Sequence, residues 1–397
     1  MSEERRRADV VILGAARTPI GAFLGGLAPL AAPKLGSIAI GCALERAGVK
    51  PDDVDEVYMG NVIQAGVGQA PARQAALGAR IPNSVPCTTV NKVCGSGLKS
   101  VMLAATQIIA GESRLIVAGG MESMSNAPYL MRGARAGLAL GEHKIEDANL
   151  TDGLLDAYGH GHMGLGGEIA AERCGLSREE QDRFAVSSYE KALRAQREGA
   201  FDAEIVPVEV AGRKGAVTLV KSDETPRETS LESLAKLAPS FKPQGTVTAG
   251  NSSKLNDGAA AVVVAGADRA KELRAAPIAR VVAQGQFAHE PEMFLTAPKG
   301  AIARCLEKAG WSVGDVDLFE VNEAFSGIEC VRRELEIPAE KFNVNGGAVA
   351  LGHPIGASGA RLLVTLLYAL RARGKRRGIA SLCLGGGEAV ALAVETV

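Results

Sequence analysis

An α/β fold of two related halves, with a third region inserted between them, follows from three features of the sequence. The first is composition. Apolar residues make up 47% of the 397 but aromatics only 4%, so Ala, Val, Leu and Ile must fill the core, as they do in buried strands and tightly packed helices. The second is an internal repeat. Leu44-Glu45-Arg46-Ala47-Gly48-Val49 followed by Asp53-Val54-Asp55 is matched by Leu306-Glu307-Lys308-Ala309-Gly310-Trp311 followed by Asp315-Val316-Asp317, at an offset of about 262 positions. The third is a change of texture from Met121 to about Thr248, polar, rich in Met, His and Gly early and in charged helix formers later (Ser177–Gly199). At about 100–200 residues per domain, the length suits two or three domains.

The repeat extends element by element. In each half a helix closes on an Ala-Gly C-cap, an Asp-rich turn follows, and a short strand (Glu56–Met59, Leu318–Val321) runs into Asn61 or Asn322. A Val-Asn pair comes next (Val90-Asn91, Val344-Asn345), then a Gly/Ser-rich segment opening a helix, then a strand ending in glycines (Leu115–Gly120, Ile379–Gly387). Such alternation predicts mostly parallel sheets covered by helices on both faces.

Several function classes are disfavoured. Lys and Arg number 44 against 45 Asp and Glu, so no net field draws the chain to nucleic acid or a membrane surface. No stretch reads as a membrane span, and the apolar runs Ala259–Ala265 and Leu362–Leu370 read as buried core. No secretory or transit signal follows the N-terminal arginines, which makes the cytoplasm the default location. Seven cysteines without a C-x-x-C pair argue against a disulfide framework or structural zinc. His143, His160, His162 and Cys174 fit no zinc spacing, so no metal is expected. No P-loop or G-x-G-x-x-G occurs, and the hydrolase elbow that Gly356-Ala357-Ser358-Gly359-Ala360 suggests is incomplete.

Chemistry is concentrated at three points. Cys94, in Asn91-Lys92-Val93-Cys94-Gly95-Ser96-Gly97, stands where helical periodicity begins. A helix N-terminus there favours the thiolate, the form that attacks a carbonyl. His353, in Leu351-Gly352-His353-Pro354, holds the place in its half that mirrors Cys94, so the two could face each other as a Cys–His pair. Cys383 precedes Leu384-Gly385-Gly386-Gly387 at a strand end, where backbone N–H groups can form an oxyanion hole. Asn322 also closes a strand. Glycine, 48 residues, is concentrated around these points, which suggests close approach of backbone to a substrate oxygen.

The segments N-K-V-C-G-S-G-L-K, G-G-M-E-S-M-S-N-A-P, N-E-A-F, N-V-N-G-G-A-V-A-L-G-H-P-I-G-A-S-G-A-R and C-L-G-G-G resemble thiolase signatures, in that family's order and across essentially the whole chain. The resemblance implies a duplicated α-β-α-β-α layered fold. Its first half would be residues 1–120, completed by about 249–272, its loop domain 121–248 and its second half 273–397. It also implies reversible Claisen chemistry on coenzyme A thioesters, which are substrates, so no cofactor is expected. In the family's roles Cys94 is acylated, His353 activates it and Cys383 moves the α-proton. Asn322, through a water, and His353 hold the enolate oxygen, while the N–H groups of Cys94 and Gly385 hold the oxyanion. Leu154, His162 and Met163 match residues bordering the acyl and pantetheine pocket. Ser253, in the segment with Ala249, matches a coenzyme A contact, as does Phe325, and Arg227 and Ser233 match the nucleotide end. The short-chain branch implies acetoacetyl-CoA synthesis from two acetyl-CoA and a dimer of dimers. Cleavage of longer 3-ketoacyl-CoAs is the alternative, and a non-catalytic acyl-CoA-binding protein is the alternative outside enzymes. Lys254, Gly166-Gly167, Ile169 and Glu388 depart from the family's usual residues and bear on acyl-chain preference and coenzyme A binding.

Overall fold

The computed structural model describes residues 9–212 and 215–397. The chain opens with β1 (Val10–Arg17), β2 (Gly21–Ala22), α1 (Ala32–Ala47), β3 (Glu56–Gly60), α2 (Pro71–Gly78), β4 (Cys87–Val90), α3 (Ser96–Ala110) and β5 (Leu115–Ser123). The intervening region carries β6 (Tyr129–Leu130), β7 (Glu146–Asp147), α4 (Met163–Arg173), α5 (Arg178–Arg197), β8 (Val208–Ala211), β9 (Val217–Val220) and α6 (Leu231–Ala235). Then come β10 (Asn256–Gly266), α7 (Ala267–Leu273), β11 (Ala279–Ala288), α8 (Pro298–Ala309), β12 (Leu318–Val321), α9 (Glu329–Glu334), α10 (Ala348–Leu351), α11 (Ile355–Ala372), β13 (Arg377–Leu384) and β14 (Glu388–Thr396). The repeated Ala-Gly signals end α1 and α8 alike, with Gly48 and Gly310 left-handed at φ 64° and 67°.

The main sheet runs β12-β13-β14-β11-β1-β10-β5-β3-β4. Outward from the central β1–β11 pair, the order β1, β10, β5, β3 on one side mirrors β11, β14, β13, β12 on the other, so the sequence repeat is a structural duplication. The expectation of mostly parallel sheets is corrected here. Only β3–β4, β3–β5 and β12–β13 are parallel, and the remaining pairs are antiparallel. Each half ends in two antiparallel strands; in the second the tight turn at Gly385–Gly387 joins them as a hairpin, a connection only antiparallel strands allow.

Strand alternation assigns the layers. Ile116, Ala118, Val262 and Val264 face a cluster shared with α3, α11 and the second-half residues Ala380, Leu382, Leu392 and Val394. Their neighbours Leu115, Val117, Ala261 and Val263 face α1 and α2. Ala391 and Ala393 face α8. The result is a five-layer α-β-α-β-α stack with α3 and α11 as its central layer. These two helices meet backbone to backbone at their N-termini: a Cβ on Gly97 would stand 2.7 Å from Ala360 N, and one on Gly359 2.4 Å from Leu98 N. Val93–Ala110 and Ile355–Ala372 do reach the length and mean hydropathy of a membrane span, 1.4 and 1.2, contrary to the sequence reading. Both are the packed central helices. The intervening region is anchored by Arg17, fully buried and ion-paired to Glu204 at 2.6 Å and Asp223 at 2.7 Å.

Cys174 and Cys330 form a disulfide across 156 residues of sequence, which corrects the expectation of none. Cys174 caps α4 and Cys330 lies on α9. Packing brings the two together where no sequence spacing signals it.

Candidate active site

Cys94 sits immediately before α3, after a strained turn. Val93, a β-branched residue, has φ 46°, a conformation that costs about 1–3 kcal/mol and persists only when its surroundings fix it. They do: Val93 N donates to Asn91 Oδ1 at 3.1 Å, Lys92 N to Ser96 Oγ at 2.8 Å, and Ser96 Oγ to the Val93 carbonyl at 2.6 Å. Lys92 is ion-paired to Glu388 in the opposite half. The backbone N–H groups of Gly385 and Cys94 itself face the sulfur and lower its pKa, yet burial outweighs them and pushes the thiol up to about 11. The expectation of a thiolate at a helix N-terminus is therefore corrected. Desolvation is larger than the dipole, and Cys94 rests as a thiol that needs a base.

His353 lies between α10 and α11, with its backbone N–H donating to Asn256 Oδ1 at 2.9 Å. Its ring is held by one contact, Nδ1 to Ser358 Oγ at 2.6 Å. Ser358 has one hydroxyl proton and donates it to the Pro354 carbonyl at 2.9 Å, so Oγ must accept from Nδ1–H. That pattern assigns the tautomer: Nδ1 carries the proton and Nε2 is the free base. Nε2 is buried without a protein partner among the described residues. Burial first and the Arg361 charge second hold the ring neutral, lowering its pKa to about 3. Ile355, two residues on, packs in one small cluster with Val93, Cys94 and Leu154.

Cys383 is fully buried on β13, and burial together with the neighbouring Cys94 raises its thiol well above the ordinary value. Asn322 follows β12 and donates its backbone N–H to Ser381 O at 3.0 Å. Both atoms of its side-chain amide are buried without a protein partner among the described residues. Such orphaned groups in an enclosed site suit a ligand or a bridging water.

Other predicted residues divide. His162 caps α4, accepting from Gly164 N at 3.0 Å through Nδ1, and stacks on Phe241 at 4.6 Å. Met163 reaches to within 3.9 Å of where a Gly385 side chain would start. Arg227, Ala249 and Ser253 line one cavity of about 560 Å³, and Ser253 N is tied to the carbonyl of Ala324, next to Phe325. Ser233 is not on that wall. It is exposed, and its hydroxyl belongs to the cap of α6, donating to Ser230 O at 2.8 Å.

Sequence reasoning missed the supports. Asn256 and Ser358 hold the histidine. Glu122, its carboxyl raised to about 7 by burial, accepts from Val62 N, Ile63 N and Gly356 N and so ties the start of α11 to the first half. Phe241 and Lys254 line the cavity. Lys254 was already marked in the sequence as bearing on coenzyme A binding and Glu122 lay within a segment singled out, whereas Phe241 had no local signal.

Residues 10–268 match the thiolase N-terminal domain and residues 275–396 the thiolase C-terminal domain. The chain is 51% identical to an acetyl-CoA acetyltransferase of Cupriavidus necator over 98% of its own length and 99% of that protein's. It is also 51% identical to acetyl-CoA acetyltransferase 2 of Arabidopsis thaliana, covering 99% and 98% respectively. The crystal structure of the Bacillus anthracis acetyl-CoA acetyltransferase superposes with a TM-score of 0.96 at 42% identity, covering 98% of this chain and 99% of that one.

Proposed function

The chain belongs to the thiolase family, and on that premise we propose that it is an acetyl-CoA C-acetyltransferase, condensing two acetyl-CoA to acetoacetyl-CoA and free coenzyme A, reversibly and through an acyl-enzyme. The observation that carries this reading is the free Nε2 of a neutral His353 in a site that also holds a protonated Cys94. Neither group is charged at rest, so the thiol's proton can pass to Nε2 as sulfur attacks the thioester carbonyl, without a prior ion pair to desolvate. The carbon–sulfur bond to Cys94 forms, the bond to coenzyme A breaks, and the departing thiolate takes the proton of the Cys383 thiol, leaving Cys383 as thiolate and the Cys94 proton on His353 Nε2. The oxyanion of this step is assigned to the N–H groups of Cys94 and Gly385, each such donor being worth about 2.7–4 kcal/mol.

In the second half-reaction the Cys383 thiolate removes the α-proton of a second acetyl-CoA and so regains its thiol. The enolate oxygen is held by His353 Nε2–H and by Asn322 through a water, and the carbanion attacks the acetyl group on Cys94, whose departing sulfur takes its proton back from His353 Nε2. Leu154, His162, Met163 and Phe325 border the acyl and pantetheine part in this reading; Ala249, Ser253 and Arg227 hold coenzyme A along the cavity, with Ser233 at its nucleotide end. No cofactor enters the scheme, because coenzyme A is substrate.

The reading carries with it a cytoplasmic enzyme of fatty-acid metabolism and a homotetramer. Among the described residues β4 ends the main sheet with one side unpaired, and Tyr129, Leu138, Leu140, Ile145 and Tyr158 expose apolar surface on the intervening region, features that suit assembly between copies. The deciding experiment is thiolysis of 3-ketoacyl-CoAs from four to sixteen carbons. The rate should be highest with the four-carbon substrate; a flat or rising profile overturns the acetoacetyl-CoA assignment in favour of longer-chain cleavage.

A further inference from the structure

We propose that Phe294, seated in the notch left by Gly166 of α4, is the backstop that limits acyl-chain length by preventing Phe325 from receding. This rests on the thiolase reading above. Three glycines near the start of α4 each seat one aromatic ring. A Cβ on Gly164 would stand 2.3 Å from Phe241 Cδ2, one on Gly166 2.5 Å from Phe294 Cε1, and one on Gly167 3.1 Å from Phe325 Cγ. None of the three rings could keep its place against an alanine helix face without shifting.

The rings also lock one another. Phe325 meets Phe241 edge-on at 6.0 Å and 90°, and Phe294 edge-on at 6.4 Å and 77°. Phe241 borders the cavity that holds Ser253 and Arg227, whereas Phe294 is 2% exposed and faces the core. Phe325 therefore stands between the cavity side and the core side. It shares one apolar cluster with Cys383 and Met163, the side chains beside the reacting sulfur and the Gly385 loop, and the proposed function sets it at the acyl part of the substrate, so a lengthening acyl group on Cys94 would meet this ring. A longer chain needs Phe325 to move back, and Phe294 occupies the space into which it would move. Phe294 touches neither substrate nor the reacting atoms; it is a positioning residue acting through Phe325.

The test compares kcat/KM for thiolysis of acetoacetyl-CoA and 3-ketooctanoyl-CoA by the full chain and by Phe294→Ala, Phe294→Leu and Gly166→Ala. Removing methylene-sized groups from a tight pocket shifts discrimination roughly tenfold each. Phe294→Ala should raise the eight-carbon to four-carbon ratio by about tenfold or more, and Phe294→Leu should raise it less. Gly166→Ala, which pushes Phe294 toward Phe325, should lower it, and adding Phe294→Leu to Gly166→Ala should restore it. The KM for free coenzyme A should stay unchanged throughout. Should Phe294→Ala not fold, the leucine variant decides. A folded leucine variant with the wild-type ratio overturns the proposal, as does a wild type that already prefers the eight-carbon substrate. A wild type inactive on both substrates overturns the thiolase reading itself, which keeps the two failures distinct.

Discussion

The loops carrying Cys94 and His353 occupy the same place in two copies of one supersecondary unit, each leading into a central helix, yet they are held in opposite ways. The cysteine loop is partly exposed. Its strained Val93 is fixed by short-range hydrogen bonds, and its link to the other half is a solvent-facing ion pair between Lys92 and Glu388, 24% and 42% exposed at the side chain. The histidine loop is buried along its whole length and is held by Asn256 and Ser358 without any ion pair to the ring. Duplication supplied two equivalent helix starts, and burial then differentiated them. The proposed nucleophile keeps an open approach for a large substrate, whereas the proposed base stays neutral in an enclosed cradle where burial and the Arg361 charge both disfavour its protonation.

The comparison breaks most sharply if the chemistry is not divided as proposed. Cys94→Ser should abolish the acyl-enzyme and lower turnover by as much as about a million-fold, as loss of a covalent nucleophile does elsewhere; a full acetyl adduct detected by mass spectrometry on that variant would refute the assignment. Cys383→Ala should still acquire the adduct but lose condensation, so normal condensation in it removes Cys383 as the base.

A second test concerns the resting thiol. Burial raises the folded pKa of Cys94 to about 11, above the ordinary 9.0; the proton is held more tightly than in the unfolded chain, and thiolate accumulates only as pH approaches that value. Site-specific alkylation of Cys94 by iodoacetamide should therefore keep rising with pH beyond 9, and a plateau near pH 8 would show that the helix dipole prevails over burial. The smallest effects compare the two tethers. Asn256→Ala leaves the His353 N–H buried and unpaired, a loss of about 1–3 kcal/mol, whereas Glu388→Gln removes a half-exposed ion pair worth about 0–1 kcal/mol. Denaturant melts that rank the two in the reverse order would mean the exposed pair is the stronger clamp.

Much of this was legible in the sequence because it is encoded locally. The Ala-Gly caps, the offset repeat and the texture change near Met121 gave two halves and an insertion, since a left-handed C-cap and a helix start are decided by a few adjacent residues. Strand direction was not legible: β5 and β10 are separated by the whole intervening region, and their antiparallel pairing is long-range. The glycines were read as space for a substrate. Gly97 and Gly359 instead let α3 and α11 touch, and Gly347 and Gly352 make room for Glu323 and Asn256; of the clusters near the site, Gly385 is the one whose N–H faces Cys94.

The sequence by itself determined the candidate residues for the chemistry and their order, because Cys94, His353, Cys383 and Asn322 each sit in a short segment whose turn, helix start or strand end is locally specified. Only the tertiary structure decided their charge states and supports. Whether a thiol at a helix N-terminus ionises depends on how much water packing removes from it, and which nitrogen of His353 is free depends on a serine hydroxyl already committed to a carbonyl. The same holds for the Cys174–Cys330 disulfide and the rings seated on α4, partners brought together from distant segments by the fold alone.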